Sequence, residues 1–558
     1  MRRQYAQAID AYRSVLAHGD SSPDIYERLA MSLLQQRRYG DAAAVCAIGL
    51  AVQKTVDLYR LRIAALGQMN RIEAALGLAE EARCVFPDNT FFQFPARLIL
   101  LVVYACEDDI AVHRDRLRDG LQSWLDACDT RELYVSERAI NDIQQTLFYL
   151  AYQGQVDVEL QTTYGTLLQR IVQATYPQWS HSRSISLAPA TTRLRIGYVS
   201  AFCRWHTVGK LFLGWLQHHD VEQFEIFTYY VGATKDFMSH HFEHASGHFS
   251  HLPEADVAEI CQRIHADQLD VLVFLEFGMD VLTSKLAALR LAPIQCVAWG
   301  HPVTTGLSTM DYFISSQMME PPHGAQHYTE ALVMLPNIGV CVPPPCLPPS
   351  DRTRADFGLS ATRTIYISPH SVFKYLPQYD QVFPRIAQRV ATSQFVFIER
   401  DTHSLEATQD FKTRLAQAFR EHGLDASQYV QFLPSQSFQD YLRLYQLADI
   451  YLDSITWSGG MTTLEALGCA LPIVTLPGTC MRGRHAYGCL TRLGIMETVA
   501  SNVDEYVHIA VRLATDPVYR QDVVAQLSEH LHLLYDDTAC VTALEQFYRQ
   551  AIPRSAMA

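Results

Sequence analysis

A glycine-rich segment in the last quarter of the chain is the best candidate for binding a phosphorylated ligand. Residues 458–467 read SGGMTTLEAL and follow a predicted strand that ends near Leu452. Gly459 and Gly460 let the backbone come close to a ligand, and the helix that follows directs its free N–H groups and positive dipole end outwards. This pattern predicts a binding site for a diphosphate.

Three side chains of the same segment have suitable chemistry. Thr462 and Thr463 could donate hydrogen bonds to phosphate oxygens, and Glu465, one turn into the helix, could accept them from ribose hydroxyls. The alternative is a glycine-rich turn with a threonine cap and an acidic first-turn residue, which would only stabilise the helix.

A lysine follows the first predicted strand of the second half of the chain. Residues 368–374 read SPHSVFK, which places Lys374 just after the carboxyl end of that strand. Its ammonium could stabilise the negative charge that develops on a leaving diphosphate. A surface lysine that buries its stem and keeps its charge in water is the alternative.

Loops of the first half carry candidate acid–base groups. His206 follows the first strand and could orient an acceptor or share a proton with it, because imidazole titrates near neutral pH. Asp267, which precedes a strand expected to point at the cleft, is the other candidate general base. His301 lies in the loop WGHPVTTG, and residues 481–485, MRGRH, bring two arginines that suit phosphate. A packing role is the alternative for each loop.

The sequence indicates no metal site. From the first strand to the C-terminus it contains no DxD, the spacing expected of a metal-bridged sugar transferase, and the 13 cysteines include no CxxC pair. We therefore expect no metal cofactor, and expect a lysine and a helix N-terminus to stabilise the leaving group. The scattered cysteines favour reduced thiols and a cytoplasmic location.

Two parallel sheets must position these loops. After residue 190, short β-branched runs alternate with amphipathic ones, as in βαβ units, and a proline-rich stretch from Pro343 to Pro349 divides them into two sets. We predict two doubly wound lobes: 191–345, which carries the candidate acceptor-orienting His206, and 346–558, which carries the candidate diphosphate-binding segment. Ligands of such sheets bind beyond the carboxyl ends of the strands. The predicted strands are 194–199, 224–230, 269–275, 294–299, 364–368, 394–398, 430–433, 450–452 and 473–476.

The N-terminal third is predicted to be helical. Segments that begin at Tyr5, Tyr39 and Ile72 align with one another, at the spacing of tetratricopeptide hairpins, roughly 34 residues. We expect such repeats over 1–90, with the first hairpin incomplete, and a helical extension of degenerate repeats over 91–190. Stacked hairpins form concave surfaces, so these repeats would bind protein substrates, and a purely structural extension is the alternative.

Composition and charge restrict the class of partner. With 49% apolar and 19% charged residues the chain is typical of packed globular proteins, and its formal net charge of −14 argues against general attraction to nucleic acid or anionic lipid. The most apolar stretch is far shorter than the roughly 20 residues that span a bilayer. We expect neither a nucleic-acid partner nor a membrane span.

In their order along the chain, these loops resemble the O-GlcNAc transferase/SPINDLY family, whose members join tetratricopeptide repeats to a two-domain glycosyltransferase fold of the B type. The resemblance covers the chain from Leu194 onwards, together with the repeat architecture before it. It is carried by LRIGYVS (194–200), HTVG (206–209), LAPIQ (291–295), GHP (300–302), MDY (310–312), FK (373–374), QLAD (446–449) and residues 459–465.

The resemblance implies roles for individual residues. The histidine matching His206 lies at the family's active site, and the lysine matching Lys374 contacts the donor diphosphate. The threonines matching Thr462 and Thr463 line the phosphates, and an acidic residue meets the ribose. The remaining donor positions are Tyr441, whose ring would face the base, together with Gly459, Gly460, Glu465, Ser371 and His301.

The resemblance implies an inverting, metal-independent protein O-glycosyltransferase that transfers a sugar, GlcNAc first, from a nucleotide sugar to Ser or Thr. The animal enzymes carry histidine where Gly460 stands, aspartate where Glu465 stands and glutamine where Ser371 stands, so the donor stays open between UDP-GlcNAc and the GDP-fucose of SPINDLY-type members. A non-catalytic scaffold with a nucleotide-binding module, and an asparagine or glycan acceptor, are further alternatives.

Overall fold

A computed structural model of the chain describes residues 2–19, 21–130, 137–181, 193–347, 349–399 and 404–552. A helical N-terminal region is followed by two parallel sheets, as predicted. The helices of the first region are α1 (Arg2–Ala17), α2 (Pro23–Gln35), α3 (Tyr39–Val52), α4 (Val56–Gln68), α5 (Ile72–Val85), α6 (Thr90–Gln93), α7 (Glu107–Thr130), α8 (Glu137–Asp142) and α9 (Val158–Thr175).

Helices α1 to α5 pack as the repeating hairpins that the period predicts. Ala42 and Ala75 are fully buried, because neighbouring helices approach most closely at these small side chains. The chain leaves α2 and α4 through Arg37 and Asn70, which have φ values of 60° and 63° and so end each helix in the left-handed conformation. The Asn70 amide also donates to Asp410 of the last lobe, at 3.0 Å, which attaches the repeats to it.

The first lobe is a seven-stranded parallel sheet of order β3-β2-β1-β4-β5-β6-β7. The order reverses between β1 and β4, which is where doubly wound sheets bind ligands. Its elements are β1 (Leu194–Ser200), α10 (Thr207–Gln217), β2 (Phe224–Tyr230), α11 (Phe237–Ala245), β3 (His248–His251), α12 (Val257–Ala266), β4 (Val271–Phe274), α13 (Val281–Ala287), β5 (Ile294–Ala298), β6 (Tyr312–Ser316) and β7 (Ala331–Leu335).

The second lobe is a five-stranded parallel sheet of order β10-β9-β8-β11-β12, which reverses between β8 and β11. Its elements are β8 (Thr364–Ile367), α14 (Val382–Arg389), β9 (Ser393–Ile398), α15 (Leu405–Glu421), β10 (Val430–Leu433), α16 (Phe438–Leu447), β11 (Ile450–Leu452), α17 (Met461–Gly468), β12 (Ile473–Val474), α18 (His485–Leu493), α19 (Val503–Thr515), α20 (Pro517–His530) and α21 (Ala539–Ala551).

The last helix corrects the predicted boundary of the second lobe, because α21 packs against the first sheet. The hydroxyls of Tyr548 and of Tyr198 in β1 lie 3.1 Å apart, and Glu545 lies 3.2 Å from His219 at the end of α10. Phe547 meets Tyr312 of β6 edge to face. The segment 346–558 therefore contributes to both lobes.

A buried ion network joins the helical extension to the second lobe. Asp157 accepts hydrogen bonds from Arg114 of α7 at 2.9 Å and from Arg482 at 2.7 Å. The three side chains are 1%, 8% and 5% exposed, so the carboxylate separates two guanidinium groups that have no access to bulk water. Arg482 also donates to the Gln155 carbonyl, which fixes the segment before α9.

Substituting Asp157→Ala should therefore lower the free energy of unfolding by about 3–5 kcal/mol, because it leaves two buried cations without their counter-charge. Chemical denaturation of the full chain, followed by circular dichroism, measures the change. The matched control is Asp115→Ala, which removes the exposed partner of Arg118 and should cost less than about 1 kcal/mol. Equal effects of the two substitutions would contradict the assignment.

Candidate active site

The loops that follow the central strands of both sheets enclose a cavity of about 480 Å³. The first lobe contributes the segment after β1 and the loop after β5, and the second lobe contributes the loop after β8 and the start of α17. A short 3-10 helix of the extension, Phe148–Gln153, completes the wall. The cavity is thus built from all three regions of the chain.

Lys374 and the glycine-rich turn face this cavity together. They follow β8 and β11, which are neighbours at the point where the order of the second sheet reverses. The Lys374 Nζ lies 3.5 Å from the carbonyl oxygen of Ser458, directly before the two glycines, and Gly460 and Thr462 line the same space. The structure therefore brings together the cation and the helix start that the sequence predicts.

Asp453 holds the glycine-rich turn in place. This carboxylate follows β11, is 4% exposed, and accepts hydrogen bonds from the Ser458 hydroxyl at 2.6 Å, the Gly459 N–H at 2.9 Å and the Thr475 hydroxyl at 2.8 Å. Burial raises the pKa of Asp453 to about 6, although the three donors oppose the change. The turn is thus anchored from below by a group that sequence analysis did not single out.

Only glycine fits at position 459. A Cβ there would lie 2.5 Å from the Thr462 hydroxyl oxygen and 2.6 Å from that of Tyr451, well inside contact distance. Thr462 lines the cavity, whereas Thr463 is fully buried beneath the turn. The geometry supports a phosphate-facing role for Thr462 and a packing role for Thr463.

His206 lies on the opposite wall, where it begins α10. Its Nδ1 accepts a hydrogen bond from the Val208 N–H at 3.2 Å, and its ring stacks on Phe202 with centroids 4.4 Å apart. Burial, with smaller contributions from the charges of Arg204 and Lys210, lowers the pKa of His206 to about 3. The imidazole is therefore neutral at physiological pH, with its proton on Nε2.

Neutral and aromatic groups make up much of the remaining wall. Burial lowers the pKa of both His301 and His485 to about 3. His301 stacks on Phe148, and Tyr152 stacks on Trp457 with centroids 3.9 Å apart. These two histidine rings are therefore neutral near pH 7, and as neutral rings they can form hydrogen bonds with hydroxyl and amide groups of a ligand.

Two buried polar atoms of this wall have no hydrogen-bond partner within the described ranges. They are Nε1 of Trp299 and Nε2 of His485, in rings whose centroids lie 5.4 Å apart across the two lobes. His485 Nδ1 lies 3.3 Å from the Ser458 carbonyl, which leaves Nε2 as an acceptor. Sequence analysis pointed to the arginines of the MRGRH loop, whereas its histidine is the residue that lines the cavity.

Sequence analysis also missed Phe148, Tyr149 and Tyr152, which reach the cavity from a region expected to be only a helical extension. No local pattern distinguished them from core aromatics, because their role arises from the docking of the extension onto both lobes. These three residues belong to no sequence motif, so motif spacing could not reveal their role.

The structure does not place Asp267, the other candidate general base, at the cleft. It ends α12 and precedes β4, so it lies at the amino edge of the first sheet, whereas His206 follows the carboxyl end of β1. Its carboxylate accepts a hydrogen bond from the Tyr229 hydroxyl at 2.8 Å, and its carbonyl accepts one from Arg195 near the start of β1. Asp267 is a structural acceptor there.

A second cavity, of about 350 Å³, adjoins the first along α17. Trp205 and Met461 line both, and Glu465 lines the second. Phe438 is the α16 ring that faces this second cavity, whereas the Tyr441 hydroxyl donates to the Pro369 carbonyl at 3.0 Å. Ser371 lines the first cavity beside Lys374.

Three further observations concern the described residues. They contain no group of three or more His, Cys, Asp or Glu side chains arranged to hold a metal ion. None of their helices combines the length and apolar character needed to cross a membrane. All 13 cysteines lie within the described ranges and are free thiols.

Comparison with known proteins assigns the family. The model of glycosyl transferase family 41 matches residues 147–340 and 350–534, which include the residues that line the two cavities, except Tyr535 and those from Val342 to Cys346. The chain belongs to glycosyl transferase family 41. This finding confirms the family resemblance that the sequence motifs indicate.

Curated relatives are similar over part of this chain. A probable UDP-N-acetylglucosamine–peptide N-acetylglucosaminyltransferase SPINDLY of Arabidopsis thaliana is 32% identical over 331 residues, 58% of this chain and 35% of that protein. The protein of the same name in Solanum lycopersicum is 30% identical over 67% of this chain and 40% of its own length. The chain thus spans less than half the length of these relatives.

The same architecture occurs in a solved family structure. A lysine-to-methionine mutant of the O-GlcNAc transferase of Thermobaculum terrenum superposes with a TM-score of 0.68, covering 98% of this chain and 97% of that one. The two are 22% identical, so the likeness establishes a shared fold of helical repeats and two facing lobes.

Proposed function

We propose that this chain is an inverting protein O-glycosyltransferase that transfers a sugar from a nucleotide sugar to a Ser or Thr hydroxyl. The observation that carries the proposal is the position of Lys374 and the Gly459–Gly460 turn in one cavity, opposite His206 of the other lobe. The names of the SPINDLY relatives make UDP-GlcNAc the first donor to test, and GDP-fucose is the alternative.

The leaving diphosphate would lie between Lys374 and the start of α17. The free N–H groups there and the Thr462 hydroxyl donate to phosphate oxygens, and the ammonium offsets the charge that develops as the bond to the anomeric carbon breaks. Because the protein itself supplies this positive charge, transfer would need no metal ion and should persist in EDTA.

The nucleoside would extend from the phosphates along α17 into the second cavity. Glu465 is one turn from the helix start, where its carboxylate would accept hydrogen bonds from ribose hydroxyls, and the Phe438 ring offers a face to the base. Aromatic stacking does not discriminate between uracil and guanine, so the Phe438 ring is compatible with either donor.

His206 would orient the acceptor rather than take its proton. Its Nδ1 lone pair already receives the Val208 N–H, so the ring offers Nε2–H as a donor at the cavity surface. A donor of this kind can hold the acceptor or the sugar in line with the leaving group. The acceptor oxygen then forms its bond to the anomeric carbon, the bond from that carbon to the diphosphate breaks on the opposite face, and the hydroxyl proton passes to solvent water.

The low pKa of His206 predicts a pH profile without a histidine limb. Between pH 5 and 8 the ring stays neutral, because its pKa of about 3 lies below this window, so kcat/KM should show no acid limb that depends on His206. Measuring the profile for the wild type and His206→Asn tests this. An acid limb near pH 6.5 that disappears in the variant would show that His206 titrates during turnover.

The helical repeats would present protein acceptors to the cleft. They are attached to the second lobe through Asn70 and Arg71, which both meet Asp410, and the extension places Tyr152 in the cavity wall itself. The free thiols are consistent with the cytoplasm as the compartment.

Thermal denaturation with UDP and with GDP is the first experiment, followed by a screen for hydrolysis of UDP- and GDP-sugars. A ligand that binds only the folded state raises Tm, so one nucleotide should stabilise the chain and its sugar conjugates should be hydrolysed or transferred. Absence of stabilisation by either would favour the non-catalytic scaffold. Intact-mass analysis of co-expressed proteins then identifies the acceptor residue type.

A further inference from the structure

A lysine of the first lobe enters the cavity assigned above to the nucleoside. Lys210 lies in α10, one turn after His206, and its Nζ is 2.8 Å from Oε1 of Glu465 in α17 of the second lobe. The two side chains are 15% and 7% exposed, so the pair is largely removed from water. It crosses from the acceptor lobe to the donor lobe.

Two aromatic rings surround the same ammonium. Its Nζ lies 3.9 Å from the ring centroid of Trp205 and 4.2 Å from that of Phe438, and these rings meet edge to face at 4.9 Å. Trp205 belongs to the first lobe and Phe438 to the second, so both lobes contribute to the cage. Attraction to the ring faces adds to the ion pair and fixes the position of the charge.

This arrangement leaves one oxygen of Glu465 committed to Lys210. Both residues line the second cavity. Oε1 of Glu465 accepts the hydrogen bond from Lys210, and no hydrogen bond from a described residue goes to Oε2. A carboxylate held at one oxygen can present the other to a vicinal diol in a fixed orientation. Lys210 would thereby keep the Glu465 carboxylate aimed.

We propose that Lys210 is a positioning residue for the nucleotide, through which the acceptor lobe contributes to nucleotide affinity by holding Glu465 for the ribose. The inference rests on the proposed function, because it takes the second cavity as the nucleoside site. It predicts that loss of the Lys210 charge weakens the binding of free UDP or GDP, neither of which carries a sugar, and raises KM for the donor more than it lowers kcat.

A purely structural bridge would behave differently. It would lower Tm when broken but would leave the affinity for nucleotide unchanged in the folded fraction. The first lobe offers a matched control in Lys235, whose ammonium is paired with Glu243 at 2.9 Å and lies 5.1 Å from the Phe249 ring centroid, and which lines neither cavity.

The test is calorimetric titration of the full chain with UDP and with GDP. For the nucleotide that the wild type binds, Lys210→Met should raise Kd by about 10-fold, a typical coupling for groups in direct contact. Lys210→Arg, which keeps the charge, should recover most of the affinity, and Lys235→Met should leave Kd unchanged. Lys210→Gln replaces the methionine variant if the latter does not fold.

A double-mutant cycle separates the pair from its surroundings. If Lys210 acts through Glu465, then Lys210→Met added to Glu465→Gln should raise Kd by less than 2-fold beyond the single Glu465→Gln variant. Wild-type Kd in Lys210→Met, or two effects that multiply fully, would overturn the inference and leave the proposed function standing. Failure of the wild type to bind either nucleotide would overturn both.

Discussion

Lys374→Ala should lower kcat for sugar transfer by about 10²–10³-fold, the range seen when one preorganised group that stabilises developing charge is removed. The ammonium lies 3.5 Å from the Ser458 carbonyl and faces the same cavity as Gly460 and Thr462. Without it, the diphosphate would depart with only the helix start to offset its charge. The loss should appear mainly in kcat, because the leaving group gains charge as the bond breaks.

The fold of this variant should be preserved, since Lys374 lies in a short loop segment after β8 rather than in a strand or long helix. Single-turnover kinetics with donor and a co-purified acceptor measure the effect, and circular dichroism verifies the fold. Lys412→Ala is the matched control, because Lys412 belongs to the same lobe and is paired with Glu399 away from the cavity. Wild-type turnover in Lys374→Ala would refute the role of this lysine.

The strands that the sequence predicted all contain β-branched residues, which favour extended backbone. All five strands of the second sheet coincide with predicted segments, as do β1, β2, β4 and β5. The missed strand β3 reads HFSH, which has no β-branched residue and lies at the edge of the first sheet. The other two missed strands, β6 (YFISS) and β7 (ALVML), do contain β-branched residues; they follow one another on the opposite side of the first sheet, where β7 is the edge strand.

The site was predictable where its chemistry is local. Gly459, Gly460 and Lys374 follow strands in the sequence, and the topology of a parallel sheet then places both loops at one edge. The proposal of Asp267 as a base at the cleft did not hold because this residue precedes its strand and therefore lies at the opposite, amino-terminal edge of the sheet. Contacts between regions distant in sequence, such as that of Lys210 with Glu465, could not be derived, because they depend on how the lobes face one another.

The same reasoning explains the corrections at the periphery of the site. Tyr152 stacks on Trp457 although 305 positions separate them, and Arg482 is buried by Asp157 of the helical extension rather than exposed to phosphate. Each contact depends on an interface between domains, whose geometry is set by packing over many residues. The residue types of MRGRH favoured arginines that bind phosphate. In the structure the first of them, Arg482, instead pairs with the internal carboxylate of Asp157.

Gly459→Ala should reduce kcat/KM for the donor by about 10²-fold, because an added Cβ would displace the turn that approaches the diphosphate. The new carbon would lie 2.5 Å from the Thr462 hydroxyl oxygen and 2.6 Å from the Tyr451 hydroxyl oxygen, so these side chains or the turn itself must shift to restore contact distance. A displacement of about 1 Å in groups that position a substrate is enough for a loss of this size. The shift would also strain the hydrogen bond from the Gly459 N–H to Asp453.

Gly460→Ala is the matched control one residue later. A Cβ at Gly460 would have His485 Nδ1 as its nearest neighbour, at 3.9 Å, so the added carbon overlaps no other atom, although the backbone there (φ −82°, ψ −97°) lies outside the regions that most residues prefer. We expect kcat/KM to stay within about 10-fold of the wild type there, since no close contact displaces the turn. Donor kinetics of the two variants at matched folded concentration make the comparison. Equal losses would mean that the cavity surface, and not the close packing behind Gly459, determines how the turn binds the diphosphate.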